Sequence, residues 1–205
     1  MIRKTSGPSS DSPVVVKLGG SLFNRIPDLV PVLLASNRPL FIVPGGCMFA
    51  DGIRKLQVDN DSAHWMAIAA MDQFGWYITS SGVPATALLQ VPDQPVVFLP
   101  YCSMRQFDPL PHSWDVTSDS IAAWVADLLG LDLLLLKSVD GIVENGRFKD
   151  KVDMPVKTDL VDPFFIPFVL KKRVKTTIIN GSCVDRVEKY LKGETVSGSR
   201  IGTTF

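Results

Sequence analysis

Short apolar segments alternate along the chain with segments that have apolar residues on one side only. The apolar segments contain almost no polar position, which is typical of strands buried on both faces of a parallel sheet. We predict strands at residues 13–18, 39–43, 95–99, 131–136 and 176–179.

The segments between these strands have helical periodicity. Residues 118–130 repeat apolar positions at i, i+3, i+4, i+7 and i+8, and Gly130 stands where a C-terminal cap is expected. Residues 62–78 have an apolar stripe after a capping signal at Asp61 and Ser62, and a last helix is predicted over 183–192. The alternation of strands and helices predicts an α/β fold, a three-layer αβα sandwich around a mostly parallel sheet.

A tight turn is predicted in the second half of the chain. Residues 144–147 (ENGR) contain an Asn-Gly pair between apolar residues, which is typical of a two-residue β-hairpin turn on the surface.

Composition indicates one globular domain. The chain has 205 residues, 46% of them hydrophobic, so residues 13–205 can form a single domain after a polar tail (1–12) that we expect to be disordered. The 21 basic and 21 acidic residues cancel, which argues against nucleic acid or a membrane as a partner.

The cysteines and the first residues bear on the compartment. Cys47, Cys102 and Cys183 are odd in number and form no CxxC pair, so we expect reduced, buried thiols rather than a disulfide framework or a zinc site. No signal peptide or long apolar run is found, and we expect a cytoplasmic protein.

Two strand ends are followed by adjacent glycines. The motifs are KLGGS (17–21) and PGG (44–46), each before a helical segment, so that unhindered N–H groups could bind an anion near Lys17. The alternative is a pair of structural turns. Residues 141–148 lack the Lys and Ser/Thr of a P-loop, and no GxGxxG follows a strand.

Three further segments could carry chemistry. Asp119 lies in the first turn of the helix predicted at 118–130, where it could pair with Lys17 or simply favour the helix dipole. His112 and Trp114 precede that helix on a loop from which a side chain can reach a ligand. Strand ends at Lys137-Ser-Val-Asp140-Gly141 and at Asn180-Gly181 could contact a nucleotide or could be ordinary turns, with Lys137 solvated.

In chain order, KLGGS, the PGG loop, TSDSIA, SVDGI and INGS resemble the amino acid kinase superfamily, over about residues 13 to 193. The resemblance implies an open αβα sandwich with an acceptor lobe (about 13–115) and a lobe for MgATP (about 116–205). GGCMFADGIRK, SAHWMAIAAMDQFG and HSWDVTSDS resemble a branch of this family that acts in methanofuran biosynthesis and converts an (aminomethyl)furan-methyl phosphate to its diphosphate.

The resemblance also implies roles for individual residues. Lys17 would neutralise the transferred phosphoryl group, Gly19 and Gly20 would donate backbone N–H groups to it, and Asp119 would orient the lysines. Nucleotide-binding residues are expected at Gly19, Ser21, Lys137, Asp140, Gly141 and Asn180. Acceptor-binding residues are expected at Gly45, Gly46, His112, Trp114 and Ser118. No side chain is assigned to bind a metal, and Mg²⁺ is expected with ATP.

One departure from the family concerns a second catalytic lysine. Relatives that phosphorylate carboxylates have it in a late Gly-Gly-Met loop, which this chain lacks, leaving Lys137 and Lys171 as candidates. A phosphate monoester is already mostly dianionic at pH 7 and needs no general base, which favours a phosphate acceptor.

For an acceptor that carries an amine, Trp114 could stack on the ring and Asp72 or Asp115 could pair with the ammonium; alternatively these are ordinary core and surface residues. We therefore expect an ATP-dependent kinase for a small phosphate monoester. The alternatives are a uridylate-type nucleoside monophosphate kinase, a non-catalytic nucleotide-regulated oxyanion-storage protein and, more weakly, a Rossmann oxidoreductase. The family also implies a homo-oligomer.

Overall fold

The computed structural model describes residues 12–202. The predicted tail therefore lies, apart from Ser12, outside the described residues. The strands are β1 (Val14–Leu18), β2 (Leu40–Pro44), β3 (Ala85–Thr86), β4 (Val96–Phe98), β5 (Asp132–Lys137), β6 (Val143–Glu144), β7 (Arg147–Phe148), β8 (Lys151–Val152), β9 (Thr176–Asn180) and β10 (Ser199–Ile201).

Helices connect most of these strands. They are α1 (Ile26–Leu34), α2 (Cys47–Asp51), α3 (Asn60–Thr79), α4 (Pro100–Phe107), α5 (Ser118–Leu129), α6 (Phe165–Lys172) and α7 (Val184–Leu191). Short 3₁₀ segments cover Gly20–Arg25 and Ile53–Lys55.

The central sheet has eight strands in the order β3-β4-β2-β1-β5-β9-β10-β8. Its pairs are parallel except for β10 against β9. Strand β1 lies in the middle of the sheet, between β2 and β5, and its residues are buried. This is the mostly parallel sheet that the sequence predicts, and all five predicted strands are confirmed to within about a residue.

Successive residues of β1 face two different cores. Val15 belongs to a core formed mainly with α5 and α6, whereas Val14 and Val16 belong to a second core formed mainly with α1 and α7. Residues of α3 contribute to both. Helices thus cover both faces of the sheet, which confirms the three-layer sandwich. Because side chains alternate along a strand, Lys17 lies on the same face as Val15, toward α5.

Some elements differ from the sequence-based expectation. Helix α3 begins at Asn60 and is capped by Asp59, whose carboxylate accepts a bond from the Ser62 N–H at 2.8 Å, so the predicted cap at Asp61 and Ser62 is wrong. Helices α1, α4 and α6 were not predicted. Each contains a proline in its first turn, where no intrahelical N–H bond is needed: Pro27, Pro100 and Pro167. Helix α1 has a second proline, Pro31, in its interior. The hairpin is confirmed, with Asn145 and Gly146 both at positive φ.

The cysteines are free, but the prediction that they are buried is wrong. Cys47 is half-buried, and Cys102 and Cys183 are exposed. Cys102 lies on α4 and Cys183 directly before α7, in surface elements rather than in the sheet. Within residues 12–202, no helix is both long enough and apolar enough to cross a membrane.

Two glycines offer a matched test of the helix ends. A Cβ at Gly130 or at Gly52 would meet no atom within 4 Å, but Gly130 has φ 66° and Gly52 has φ −65°. We expect Gly130→Ala to lower the free energy of unfolding by about 1 kcal/mol because a side chain disfavours the left-handed conformation. Gly52→Ala should leave it unchanged or raise it by up to about 1 kcal/mol. Urea denaturation of both variants measures this difference, and equal effects would contradict the stated cause.

Candidate active site

Two lysines project from the carboxyl ends of neighbouring parallel strands. Lys17 lies on β1 opposite Leu135 of β5, and Lys137 follows two residues later on β5. Because residues two apart on a strand share a face, both side chains point toward the side of the sheet that α5 covers. The sheet therefore brings two ammonium groups to one place.

Asp119 lies between these two ammonium groups. Its Oδ1 is 2.8 Å from Nζ of Lys17, and its Oδ2 accepts a 2.6 Å hydrogen bond from Nζ of Lys137. The side chains of Lys17 and Asp119 are each 5% exposed and that of Lys137 is 11% exposed. The structure thus joins all three groups in a buried chain of ion pairs, and Lys137 is not the solvated lysine that the sequence allowed.

Burial and charge shift the pKa values in this chain. Burial opposes ionisation of Asp119, but the neighbouring charges of Lys17 and Lys137 outweigh it and lower the pKa of the carboxyl group. Burial, followed by repulsion from Lys17, lowers the pKa of Lys137 to about 8, although Asp119 and Asp162 favour its charged form. One carboxylate between two ammonium groups leaves a net charge of about +1.

A second buried carboxylate, Asp162, fixes the start of α5. Its oxygens accept bonds from the Thr117 N–H (3.0 Å) and Oγ1 (2.7 Å) and from the N–H and hydroxyl of Ser120. A further bond comes from the Phe165 N–H at 3.0 Å. Residues on both sides of Asp119 are therefore held by one side chain that sequence reasoning missed. The only local signal is the Asp-Pro pair at 162–163.

The two glycine loops lie against each other beside the lysines. A Cβ on Gly20 would come within 2.5 Å of Cα and 2.8 Å of N of Cys47, so only glycine permits this approach. Cys47 itself has φ 51°, a left-handed conformation that is uncommon for a residue with a side chain.

The two loops do not present all of their N–H groups to a ligand. The Gly19 N–H bonds to the Leu136 carbonyl (3.3 Å) and the Gly45 N–H to the Leu18 carbonyl (2.9 Å). Both groups are engaged within the protein, because the loops continue the pairing of the strands. The N–H groups of Gly19 and Gly45 are therefore not available to bind an anion, although the sequence suggested that they could. Gly20, Ser21 and Gly46 line the cavity described next.

A cavity of about 450 Å³ opens between the loops, α3 and the start of α5. Lys17, Ser118 and Asp119 line one part of it, together with the two loops. The remaining wall is largely apolar and includes Met48, Ala63, Ala67, Ile68, Met71, Trp114, Val116 and Ile121. Its polar residues are Asp51, Arg54, Asn60, His64, Ser113 and Thr117. The cavity therefore joins a charged end to a chamber suited to a small apolar or aromatic group.

The expected acceptor residues are only partly at this cavity. Trp114 lines it, with the Arg54 guanidinium carbon 4.1 Å from its ring centre. His112 is not in the lining. It stacks on His64, which is in the lining, at 4.0 Å between ring centres.

The carboxylates proposed to pair with an ammonium do not line the cavity either. Asp72 accepts a 3.1 Å bond from the Tyr101 N–H at the start of α4, and Asp115 is exposed. The structure instead places Asp51, Arg54 and His64 at the wall. These residues lie in the segments GGCMFADGIRK and SAHWMAIAAMDQFG, but the sequence analysis assigned them no role.

Four of the expected nucleotide residues, Lys137, Asp140, Gly141 and Asn180, lie at or just after the ends of β5 and β9. Lys137 is paired with Asn180 in the register of the two strands. Asp140 accepts bonds from Asn180 Nδ2 (3.2 Å) and Arg186. Gly141 follows Asp140 with φ 153° and packs against Ser199. These residues are brought together but do not line the cavity, and Lys171 is exposed on α6.

Known proteins resemble the chain in sequence and in structure. No protein-family model matches it. It is 28% identical to the [5-(aminomethyl)furan-3-yl]methyl phosphate kinase of Methanocaldococcus jannaschii, over 88% of this chain and 93% of that protein.

Solved structures with similar folds are less similar in sequence. Uridylate kinase from Archaeoglobus fulgidus has a TM-score of 0.67 at 20% identity, covering 92% of this chain and 99% of its own. UMP kinase from Ureaplasma parvum has a TM-score of 0.73 at 16% identity, covering 94% of this chain and 100% of its own. An isopentenyl phosphate kinase has a TM-score of 0.58 at 17% identity, covering 92% of this chain and 100% of its own. The chain has the amino acid kinase fold, as the motifs indicated.

The role of Asp162 can be tested by one substitution. Asp162→Asn replaces an acceptor oxygen with an NH₂ group that would face N–H and O–H donors. We expect the free energy of unfolding to fall by about 1–3 kcal/mol, as for other buried groups left unpaired. The control is Asp159→Asn, an exposed carboxylate three residues earlier, which should change it by less than about 0.5 kcal/mol. Chemical denaturation of both variants checks this, and similar stabilities would show that Asp162 does not hold α5.

Proposed function

We propose that the chain is an ATP-dependent kinase that transfers the γ-phosphoryl group of ATP to a small phosphate monoester and so forms a diphosphate. The acceptor we propose is an (aminomethyl)furan-methyl phosphate, as in methanofuran biosynthesis. The observation that carries the proposal is the buried chain Lys17–Asp119–Lys137 at the charged end of a small cavity.

The chemistry requires positive charge more than it requires a base. An oxygen of the acceptor phosphate attacks the γ-phosphorus, a new P–O bond forms, and the bond to the β,γ-bridging oxygen breaks to release ADP. Both reactants are anions, so the barrier is dominated by repulsion and by charge on the transferred group. Lys17 and Lys137 supply the compensating positive charge. Asp119 holds both lysines in place, and its single negative charge cancels only one of their two positive charges.

Lys137 takes the place of the second lysine that the chain lacks elsewhere. The Lys137 ammonium contacts Oδ2 of Asp119, and the Lys17 ammonium contacts Oδ1 of the same carboxylate. Lys171, the other candidate, is exposed on α6, whereas Lys137 is nearly buried and bonded to Asp119. The second ammonium therefore comes from the end of β5 rather than from a late loop.

Magnesium is expected to accompany ATP. Both oxygens of Asp119 already contact lysines, so this carboxylate is not a suitable magnesium ligand. Mg²⁺ commonly keeps several waters and binds through substrate phosphates, which requires no dedicated protein cage. The ion would supply further positive charge to the phosphates, and the lysines would act beside it.

The cavity wall supports a small aromatic acceptor over a nucleotide. Trp114 and the apolar side chains suit a five-membered ring, whereas a ribose and a pyrimidine base would require polar partners for several hydroxyl and carbonyl groups. The division into acceptor and nucleotide lobes at about residue 115, the cytoplasmic location and the homo-oligomer remain predictions from the sequence.

ADP release with MgATP and a panel of acceptors tests the function. We expect turnover with the furan phosphate that exceeds turnover with UMP, and kcat reduced about 100- to 1,000-fold in Lys17→Ala because one stabilising charge is lost. Lys137→Ala should be impaired similarly, and Lys171→Ala should keep its activity. Normal turnover by Lys17→Ala would contradict the assigned chemistry. Binding of ATP without turnover on any acceptor would favour the oxyanion-storage alternative.

The depressed pKa of Lys137 predicts a specific pH dependence. Below its pKa of about 8 the side chain is charged, and above it the charge is lost, so kcat/KM should fall as the pH rises through about 8. The groups that set this value are Lys17, Asp119 and Asp162. In the Lys137→Met variant the side chain at this position cannot ionise. Its kcat/KM should be lower than that of wild type and should not fall as the pH rises through about 8. The pH profiles of wild type and variant check this, and an unchanged decline in the variant would assign it to another group.

A further inference from the structure

His64 is a buried polar group at the cavity that the proposed chemistry does not use. It lies on α3, lines the cavity and is 8% exposed. Within residues 12–202, its Nε2 has no hydrogen-bond partner. A buried polar atom without a partner costs stability, so such groups usually have a structural or a functional reason. The ring belongs to the cavity wall, which places this nitrogen next to any molecule bound there.

The ring of His64 is held in place by its neighbours. It stacks on His112 with 4.0 Å between ring centres and an angle of 20° between planes, and the edge of Trp65 packs against it at 4.8 Å. His112 is fixed in turn, with Nδ1 2.7 Å from Asp61 Oδ1 and Nε2 2.8 Å from Asp108 Oδ1. The position of His64 is thus fixed before a ligand binds, as a recognition group requires.

The charges of this cluster favour a cation. The carboxylates of Asp108 and Asp61 accept hydrogen bonds from the ring of His112 and raise its pKa. Burial, then repulsion from His112, lowers the pKa of His64 to about 4, so this imidazole is neutral at pH 7 and can accept a hydrogen bond. Two carboxylates, those of Asp61 and Asp108, flank the single imidazole of His112, so this cluster carries net negative charge behind the neutral ring.

A metal ion is a poorer match to the same residues. Ligand atoms of His64, Asp108 and His112 lie within 4.8 Å of one another. However, the lone pairs of an imidazole lie in its ring plane, and two nearly parallel stacked rings do not direct theirs to one point. The nitrogen of His112 that faces Asp108 is also engaged in a bond. The neutral ring is better explained by an organic ligand.

We infer that His64 accepts a hydrogen bond from a primary ammonium group of the acceptor, at the end opposite to its phosphate, and thereby determines specificity for amine-bearing acceptors. The inference rests on the proposed function and deepens it. The phosphate of the acceptor lies toward Lys17 and Gly20, its ring lies among the apolar side chains, and its ammonium meets His64. The ammonium keeps its proton, because the neutral imidazole is a much weaker base. Asp61, Asp108 and His112 act as positioning residues.

Two acceptors and three variants test this inference. The acceptors are the (aminomethyl)furan-methyl phosphate and an analogue with a methyl group in place of the aminomethyl group. We expect wild type to prefer the amine by about 10- to 100-fold in kcat/KM, the value of a hydrogen bond that involves a charge. His64→Leu should lose most of this preference by slowing only the amine-bearing acceptor. His64→Gln keeps an acceptor oxygen and should retain part of it.

The third variant, Gln73→Ala, is a control on the exposed side of α3 and should behave as wild type. Melting temperatures of all variants separate a lost contact from a lost fold. If His64→Leu slows both acceptors equally, or keeps the wild-type preference, the inference is wrong although the kinase function stands. If wild type phosphorylates neither compound, the proposed function fails, and the inference fails with it.

Discussion

A buried carboxylate shared by two ammonium groups is the interaction on which the rest of this site depends. Removing charged groups from water costs several kcal/mol for each ion, and only close, well-bonded partners offset that cost. Asp119 contacts one lysine with each oxygen, at 2.8 and 2.6 Å. Without it, two like charges would face each other in a low-dielectric environment and Lys137 would lose its proton more readily. With it, the site keeps about one unit of positive charge that can act on phosphates.

The fold produces this arrangement from three separate parts of the chain. Parallel strands β1 and β5 align their carboxyl ends, so that Lys17 and Lys137 approach each other although 120 residues separate them in sequence. Helix α5 begins above these ends and places Asp119 in its first turn, where the helix dipole also favours a carboxylate. Asp162 then fixes that turn through the backbone and side chains of Thr117 and Ser120. The geometry of these three charged groups is therefore built by backbone alignment first and by side-chain bonding second.

The sequence predicted those parts whose signals are local. Apolar runs identified the five main strands, and paired glycines after two of them identified the loops around Lys17. The sequence could not show that Lys137 shares Asp119, because this depends on strand register. Asp162 and His64 were missed for a similar reason: Asp162 bonds to residues 42 and 45 positions away, and His64 is defined by a contact with His112. Gly19 and Gly45 show the opposite case, a local signal that misled. Glycine lets the backbone approach a ligand closely, but the sequence does not show that both N–H groups bond to neighbouring strands instead.

Groups of opposite net charge lie beside one cavity. The lysine chain leaves about +1 next to the glycine loops, and the carboxylates of Asp61 and Asp108 leave net negative charge around His112, behind His64. An acceptor with a phosphate at one end and an ammonium at the other gains electrostatic free energy in only one orientation, the one that brings its phosphate to the reacting centre. A nucleoside monophosphate has a neutral or weakly polar base at its far end and gains nothing there. The distribution of charge around the cavity, as much as its shape, can therefore select both the acceptor and its orientation. Proteins that share this fold can differ in that distribution.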